Sequence, residues 1–363
     1  MKFLFEPSQH DSKEKIGVLL VNLGTPAAPD SASIRRFLRE FLSDHRVIEI
    51  PKIIWQLILN LFILTLRPRK LVPLYRSIWT EEGSPLVAIA KKQQQRLQEY
   101  FKSEANDDVI FSLAMRYGEP DIASAIRYFA QNNARKVLVF PTYPQYSATT
   151  TASIFDAVTN ELQHWRWVPE LRFINQYHDK PEYIEALAQS VRQHWQVNGK
   201  AQLLMMSFHG LPKRNLELGD PYFCQCHKTA RLLAEKLGLK ESEYQLTFQS
   251  RFGKAEWLKP YTSDTLEKLA KSGVESVDVI CPGFSIDCLE TLEEISVENK
   301  EVFLNAGGKQ YHYIPALNES DDHIKAFKSI IEQHTQGWNL QNEPQHISVK
   351  QSAFEKVSKD LAY

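Results

Sequence analysis

A histidine that ends an apolar run and three glutamates spaced four apart are the residues best placed to do chemistry. The run Leu203–Phe208 stops at His209-Gly210-Leu211-Pro212. Ligands of open α/β sheets gather beyond the carboxyl ends of strands. An imidazole placed there takes a proton near neutral pH or binds a metal through a neutral nitrogen, although a plain structural loop histidine reads the same way. The run Val277–Cys281 stops at Pro282-Gly283-Phe284, and a helix beginning near Asp287 sets Glu290, Glu294 and Glu298 along one face. Like charges at that spacing weaken a helix. The ladder is either a solvated acidic face or a track for cations or protons, and spacing does not decide between them.

Other clusters also follow strand-like runs. Pro144-Gln145-Tyr146-Ser147, with Thr149-Thr150-Thr151, is a hydroxyl-rich loop that reads equally as helix caps. Arg116-Tyr117-Gly118 sets a guanidinium beside a phenol and reads equally as a turn. Cys224-Gln225-Cys226-His227 lacks the paired C-x-x-C spacing of zinc sites, and Cys281 and Cys288 lie far along the chain, so all four thiols read as reduced. Neither G-x-G-x-x-G after the first strand nor G-x-x-x-x-G-K-[ST] anywhere is present. That argues against a dinucleotide dehydrogenase and a P-loop enzyme.

The elements that must position these residues alternate along the chain. Buried-strand runs are expected at 16–22, 109–115, 136–140, 171–175, 203–208, 244–248 and 277–281. Helical stretches separate most of them: one capped by Ser31, one opened by Ser84-Pro85, and others at 121–132, 152–164, 181–195, 222–237 and 264–272. Strands joined by helices imply an α/β fold with parallel sheets covered on both faces. The 363 residues suit two domains, and the link between them is expected in Trp165–Pro169. With 43 basic against 44 acidic residues the chain lacks the basic excess of a nucleic-acid binder. Four cysteines at this length fit a reducing compartment. The three-residue apolar run before Glu6 is too short for a signal-peptide core, so a cytoplasmic protein is expected.

Ile53–Leu66 is the one greasy stretch, followed by Arg67, Arg69 and Lys70. At fourteen residues it falls short of the roughly 20 needed to span a bilayer. It is either a buried core helix or an apolar lip that touches the bilayer surface, with the basic cluster toward headgroups.

Taken in order, the motifs resemble the ferrochelatases, enzymes that insert ferrous iron into a porphyrin at the end of haem synthesis. The matching stretches are VNLGTP (21–26), FLREFLSD (37–44), EGSPL (82–86), MRYG (115–118) and YPQYSATTT (143–151). They continue as SFHGLPKR (207–214), GDPY (219–222), FQSRFGKAEWLKPYT (248–262) and CPGFSIDCLETLEEI (281–295). The resemblance implies two Rossmann-like, chelatase-type domains, each with a parallel four-stranded sheet flanked by helices, and an active-site cleft between them. It places the N-terminal domain at 16–168 and the C-terminal domain at 169–319. A helix near 320–335 packs back on the first domain, and 337–363 forms a polar tail with at most a short final helix.

The resemblance further implies that His209 and Glu290 are catalytic and meet the metal, and that Glu294 and Glu298 form a proton or metal path. Arg116 and Tyr117 would face the porphyrin from the opposite wall, with Tyr146 and Ser147 also on the porphyrin. The substrates are then a porphyrin and Fe2+. No tightly bound cofactor is expected, and the [2Fe-2S] cluster of some relatives is not expected either, because no cysteine follows Cys288. A monomer is expected, cytoplasmic or peripheral on the inner membrane face through 53–66. The competing readings are a non-catalytic tetrapyrrole carrier and a chelatase for another metal or for coproporphyrin.

Overall fold

The computed structural model describes residues 13–104, 107–253 and 255–338. The first half runs β1 (Lys15–Asn22), α1 (Ser31–Leu42), α2 (Lys52–Ile58), α3 (Leu64–Ile78), α4 (Pro85–Ser103), β2 (Val109–Met115), α5 (Ile122–Gln131), β3 (Ala134–Pro141), α6 (Ser153–Leu162) and β4 (Glu170–Phe173). The second runs α7 (Pro181–Asn198), β5 (Leu203–His209), α8 (Lys213–Glu217), α9 (Tyr222–Leu237), β6 (Tyr244–Gln249), α10 (Thr262–Lys271), β7 (Ser276–Ile280), α11 (Asn299–Asn305), β8 (Gln310–Ile314) and α12 (Asp321–Thr335).

Every strand pairing is parallel. The two sheets repeat one order, β2-β1-β3-β4 and β6-β5-β7-β8. The inner strands β1, β3, β5 and β7 are largely buried apolar runs because helices cover both faces, as parallel sheets require. One apolar core joins the halves, running from Leu20 and Phe140 to Phe208 and Phe327. Helix α12 packs on α4, β3 and α7, where the Phe327 ring packs tilted against Phe140, 4.8 Å between centroids.

Four expectations need correction. The side chain of Asp30, not Ser31, caps α1, accepting from the backbone N–H groups of Ala32 and Ser33 at 2.8 and 2.9 Å. The boundary expected after residue 168 falls inside the first half, because β4 pairs with β3 from Lys136↔Glu170 to Val139↔Phe173. Strand β8 was not expected, since Gln310–Ile314 alternates polar and aromatic residues at the sheet edge. The polar tail starts differently from a free appendage: Trp338 is buried and donates its indole N–H to Glu170 at 2.6 Å. Residues 339–363, with the expected final helix, lie outside the described residues.

Candidate active site

In each sheet the chain reverses direction of growth between the two inner strands, β1/β3 and β5/β7. Ligands of α/β folds bind outside the carboxyl ends of strands at such switch points. Tyr146 and Ser147 follow β3, His209 ends β5, and Glu290 opens the helical segment that follows β7. Arg116 and Tyr117 follow the outer strand β2.

His209 is the last residue of β5. Its Nδ1 lies 2.7 Å from the Gly210 carbonyl oxygen. A carbonyl only accepts, so Nδ1 carries the proton of the neutral ring and Nε2 keeps its lone pair. That atom can accept a proton or bind a metal. The ring sits 6.4 Å from Phe284, and the Tyr222 hydroxyl donates to the His209 carbonyl at 3.0 Å. Position 210 has no room for a side chain, because a Cβ there would stand 2.6 Å from the Gln249 carbonyl oxygen.

Glu290 opens a π-helix, Glu290–Glu298, rather than the ordinary helix expected from Asp287. π-Helical turns are rare and concentrate at functional sites. Gln249, from the end of β6, donates its side-chain amide to the Glu290 carbonyl at 3.0 Å. Glu294 accepts the Ser250 backbone N–H at 2.6 Å and the Ser250 hydroxyl. Ser250 holds φ at +63°, a left-handed conformation uncommon for serine, and Glu294 is what secures it.

Burial raises the Glu294 carboxyl above its ordinary range, and Glu290 adds to the rise, while Ser250 and the field of His209 oppose it. Exposed Glu298 is also raised, by partial burial and then by Glu294 and its acidic neighbours. The ladder therefore runs from half-buried Glu290 and Glu294 to exposed Glu298, with raised proton affinity at its last two members. Among the described residues, His209, Glu290 and Glu294 do not close into a cage with all donor atoms within 4.8 Å of one another.

Arg116, Tyr117 and Ser147 are less available than the sequence suggested. Tyr117 is buried, and its hydroxyl donates to Asp44 Oδ2 at 2.8 Å. Arg116 gives Nη2 to the same oxygen at 2.5 Å and Nε to the Ser153 hydroxyl at 2.6 Å. Burial alone would raise Asp44, but hydrogen bonds from Ser153, Arg46 N–H and Tyr117, with the charge of Arg116, hold it below the usual range. Ser147 is buried and donates to Asp220 Oδ2 at 2.9 Å. Its hydroxyl ties the two halves together instead of facing a ligand. Tyr146 is half-buried, with its backbone N–H on Gln225 Oε1 at 2.7 Å.

The greasy segment is not a core helix. Ile53 is 81% exposed, Leu57, Leu61, Phe62 and Leu66 are 60–63% exposed, and Trp55, Leu59 and Leu64, with half-buried Ile63, face inward. Among the described residues no helix is long and apolar enough to cross a membrane. A π-helical turn, Leu59–Ile63, separates α2 from α3. Arg67 then does not face outward with Arg69 and Lys70. Its guanidinium lies 4.3 Å over Phe252, where burial lowers its pKa while Tyr75 and Glu290 counter the loss. Arg67 and Tyr75 lie within the field of Glu290, and Gln249 and Ser250 bond to Glu290 and Glu294; none of the four was singled out from the sequence. Only the motif FQSRFGKAEWLKPYT pointed toward the last two.

Residues 15–335 match the family model for ferrochelatase. The chain is 54% identical to a ferrochelatase of Nitrosococcus oceani over 331 residues, covering 91% of this chain and 90% of that one. It is 55% identical to a ferrochelatase of Herminiimonas arsenicoxydans over 339 residues, covering 93% and 92%. Among solved structures it resembles SirB from Bacillus subtilis with Fe3+, at a TM-score of 0.53 and 13% identity over 88% of this chain and 96% of that one. It also resembles the sirohydrochlorin chelatase SirB from Bacillus subtilis subspecies spizizenii in complex with cobalt, at 0.51 and 12% over 89% and 97%. These two likenesses concern the fold.

Proposed function

From the premise that this chain belongs to the ferrochelatase family, we propose that His209 and the Glu290–Glu298 ladder carry out iron insertion into protoporphyrin IX. The enzyme is a metal chelatase of haem biosynthesis, a lyase whose substrates are a porphyrin and ferrous iron. The observation that carries the assignment of roles is the bare Nε2 of His209 beside an acidic ladder that ends in solvent.

Insertion makes three demands. Fe2+ must shed water, two pyrrole N–H protons must leave, and the ring must bend to present its nitrogen lone pairs. Imidazole and carboxylate suit a divalent first-row metal. An open set of few ligands, rather than a closed cage, suits an ion that has to move on. Protons released at the ring pass to His209 Nε2 or Glu290, the nearest bases. Glu294, with its raised affinity and its electrostatic contact with both, takes them outward to exposed Glu298. This use explains why three like charges are tolerated on one helical face. Apolar walls that fit a bent macrocycle better than a flat one favour the transition state. Iron is substrate here, and no resident cofactor enters the scheme.

The exposed lip 53–66 supports shallow docking on the cytoplasmic face of a bilayer, where apolar protoporphyrin dissolves. Four free cysteines suit that reducing side. Each group of the path comes from one chain, so a monomer suffices. Substoichiometric protein mixed with anaerobic Fe2+ and porphyrin should remove free-porphyrin fluorescence over many turnovers. Quenching that stops at one porphyrin per chain would make the protein a carrier and overturn the proposal.

A further inference from the structure

Away from the cleft, two histidines converge on one buried aspartate. Asp278, in the middle of β7, is 1% exposed. Its Oδ1 lies 3.3 Å from His194 Nε2 and 3.1 Å from His312 Nδ1. His194 comes from α7, and His312 is the residue of β8 directly in register with Asp278. The other oxygen, Oδ2, is already held by the Trp195 indole N–H at 2.7 Å and the Ala201 backbone N–H at 3.2 Å. Among the described residues these three side chains form the one His/Cys/Asp/Glu set whose donor atoms all lie within 4.8 Å of one another.

We propose that His194, Asp278 and His312 bind a divalent transition metal of the Zn2+ or Co2+ class, separate from the iron that is the substrate. Two nitrogens and one carboxylate oxygen favour such ions over Mg2+ or Ca2+, which prefer oxygen ligands. Ligands about 2.0–2.1 Å from a tetrahedral ion stand about 3.3–3.4 Å apart. The two observed O···N separations, 3.1 and 3.3 Å, are close to that edge length. Trp195 and Ala201 fix the carboxylate so that only Oδ1 is offered, the supporting role that outer partners play around metals. The Asn198 amide, 3.2 Å from His194 Nδ1, orients that ring from behind. On binding, each imidazole moves its proton to the far nitrogen, the Asn198 amide turns to present its oxygen to the new His194 Nδ1–H, and the ion ties α7 to the outer strand β8. Its role is structural.

The substrate site also binds metals, so the test silences it. Chelator-stripped full-length protein carrying His209→Ala should bind a single Co2+ ion in equilibrium dialysis. Adding His312→Gln should weaken that binding at least roughly tenfold, the scale of losing even a supporting partner. Zn2+ should raise the Tm of the His209→Ala protein and leave the double variant's unchanged. In His209→Ala protein with isotope-labelled histidines, Zn2+ should shift the imidazole signals of His194 and His312, a readout that does not depend on how the double variant folds. Equal Co2+ binding by both variants, or unmoved His194 and His312 signals, overturns the assignment.

Discussion

Replacing Leu57 and Phe62 with serine isolates what the exposed lip does, because neither side chain holds the fold together. Each is 60% exposed, while inward contacts run through Trp55, Leu59 and Leu64. Burying a whole Leu or Phe is worth about 1.5–3 kcal/mol, so the exposed part of each offers a bilayer about 1–1.8 kcal/mol. The pair then supplies roughly 2–3.6 kcal/mol, or about 30- to 400-fold in partitioning. Exposed Arg69 and Lys70 add about 1 kcal/mol each at an anionic surface, a part that salt removes. The assay is co-sedimentation with anionic vesicles across a salt series, followed by turnover with porphyrin dissolved in vesicles or dispersed in detergent. The unaltered chain should sediment and release as salt rises. The Leu57→Ser/Phe62→Ser chain should keep its thermal stability, bind vesicles about 30-fold or more weakly, and lose activity mainly on membrane-dissolved porphyrin. A stable double variant that sediments as well as the unaltered chain would refute the reasoning, as would an unaltered chain that ignores vesicles.

Three other perturbations probe the interior. Within the ladder, Glu290→Gln should cut turnover by roughly 100-fold or more, Glu294→Gln less, and Glu298→Gln least, as steady-state kinetics would show; equal, negligible effects would return the ladder to a solvated face. Gly210→Ala forces a Cβ to within 2.6 Å of a backbone oxygen, so it should displace His209 and lower kcat while costing about 1–3 kcal/mol of stability by denaturant unfolding. Buried His323 has its pKa pulled from 6.5 down to about 4 by desolvation, against a hydrogen bond to the Asn318 carbonyl. The unfolded ring binds its proton first as pH falls, so the stability this group contributes is full above 6.5 and is lost toward 4, amounting to about 3 kcal/mol by pH 4. Denaturant unfolding across that window measures the loss, and an NMR titration that protonates the His323 ring near 6.5 in the folded state would contradict it.

The strand ends that carry the site were legible because buried parallel strands are unbroken aliphatic runs that stop at Gly or Pro, as at Phe208-His209-Gly210 and Cys281-Pro282-Gly283. Other features left no such mark. The π-helical bonding of Glu290–Glu298 follows from packing, and its spacing in sequence is that of an ordinary helix. Periodicity alone did not separate a core helix from an exposed lip, since both are apolar; the difference lies in whether anything packs on Leu57 and Phe62. Arg67 read as one of three basic neighbours, yet the helix turns it toward Glu290 and Phe252. Ser147 and Tyr117 had the right chemistry for a ligand, but Asp220 and Asp44, distant in sequence, bind their hydroxyls. Edge strand β8 was missed because its polar alternation lacks a buried run.

The central claim is that His209 Nε2 acts on the metal or the ring protons and does not merely hold porphyrin. The most direct measurement compares His209→Ala with the unaltered chain in two readouts on the same preparation: anaerobic Fe2+ insertion followed by porphyrin fluorescence, and porphyrin Kd without metal. Insertion should fall by roughly 100-fold or more while porphyrin affinity stays within a few-fold, because apolar walls dominate binding. Turnover within about tenfold of the unaltered chain would remove His209 from the mechanism and contradict the account.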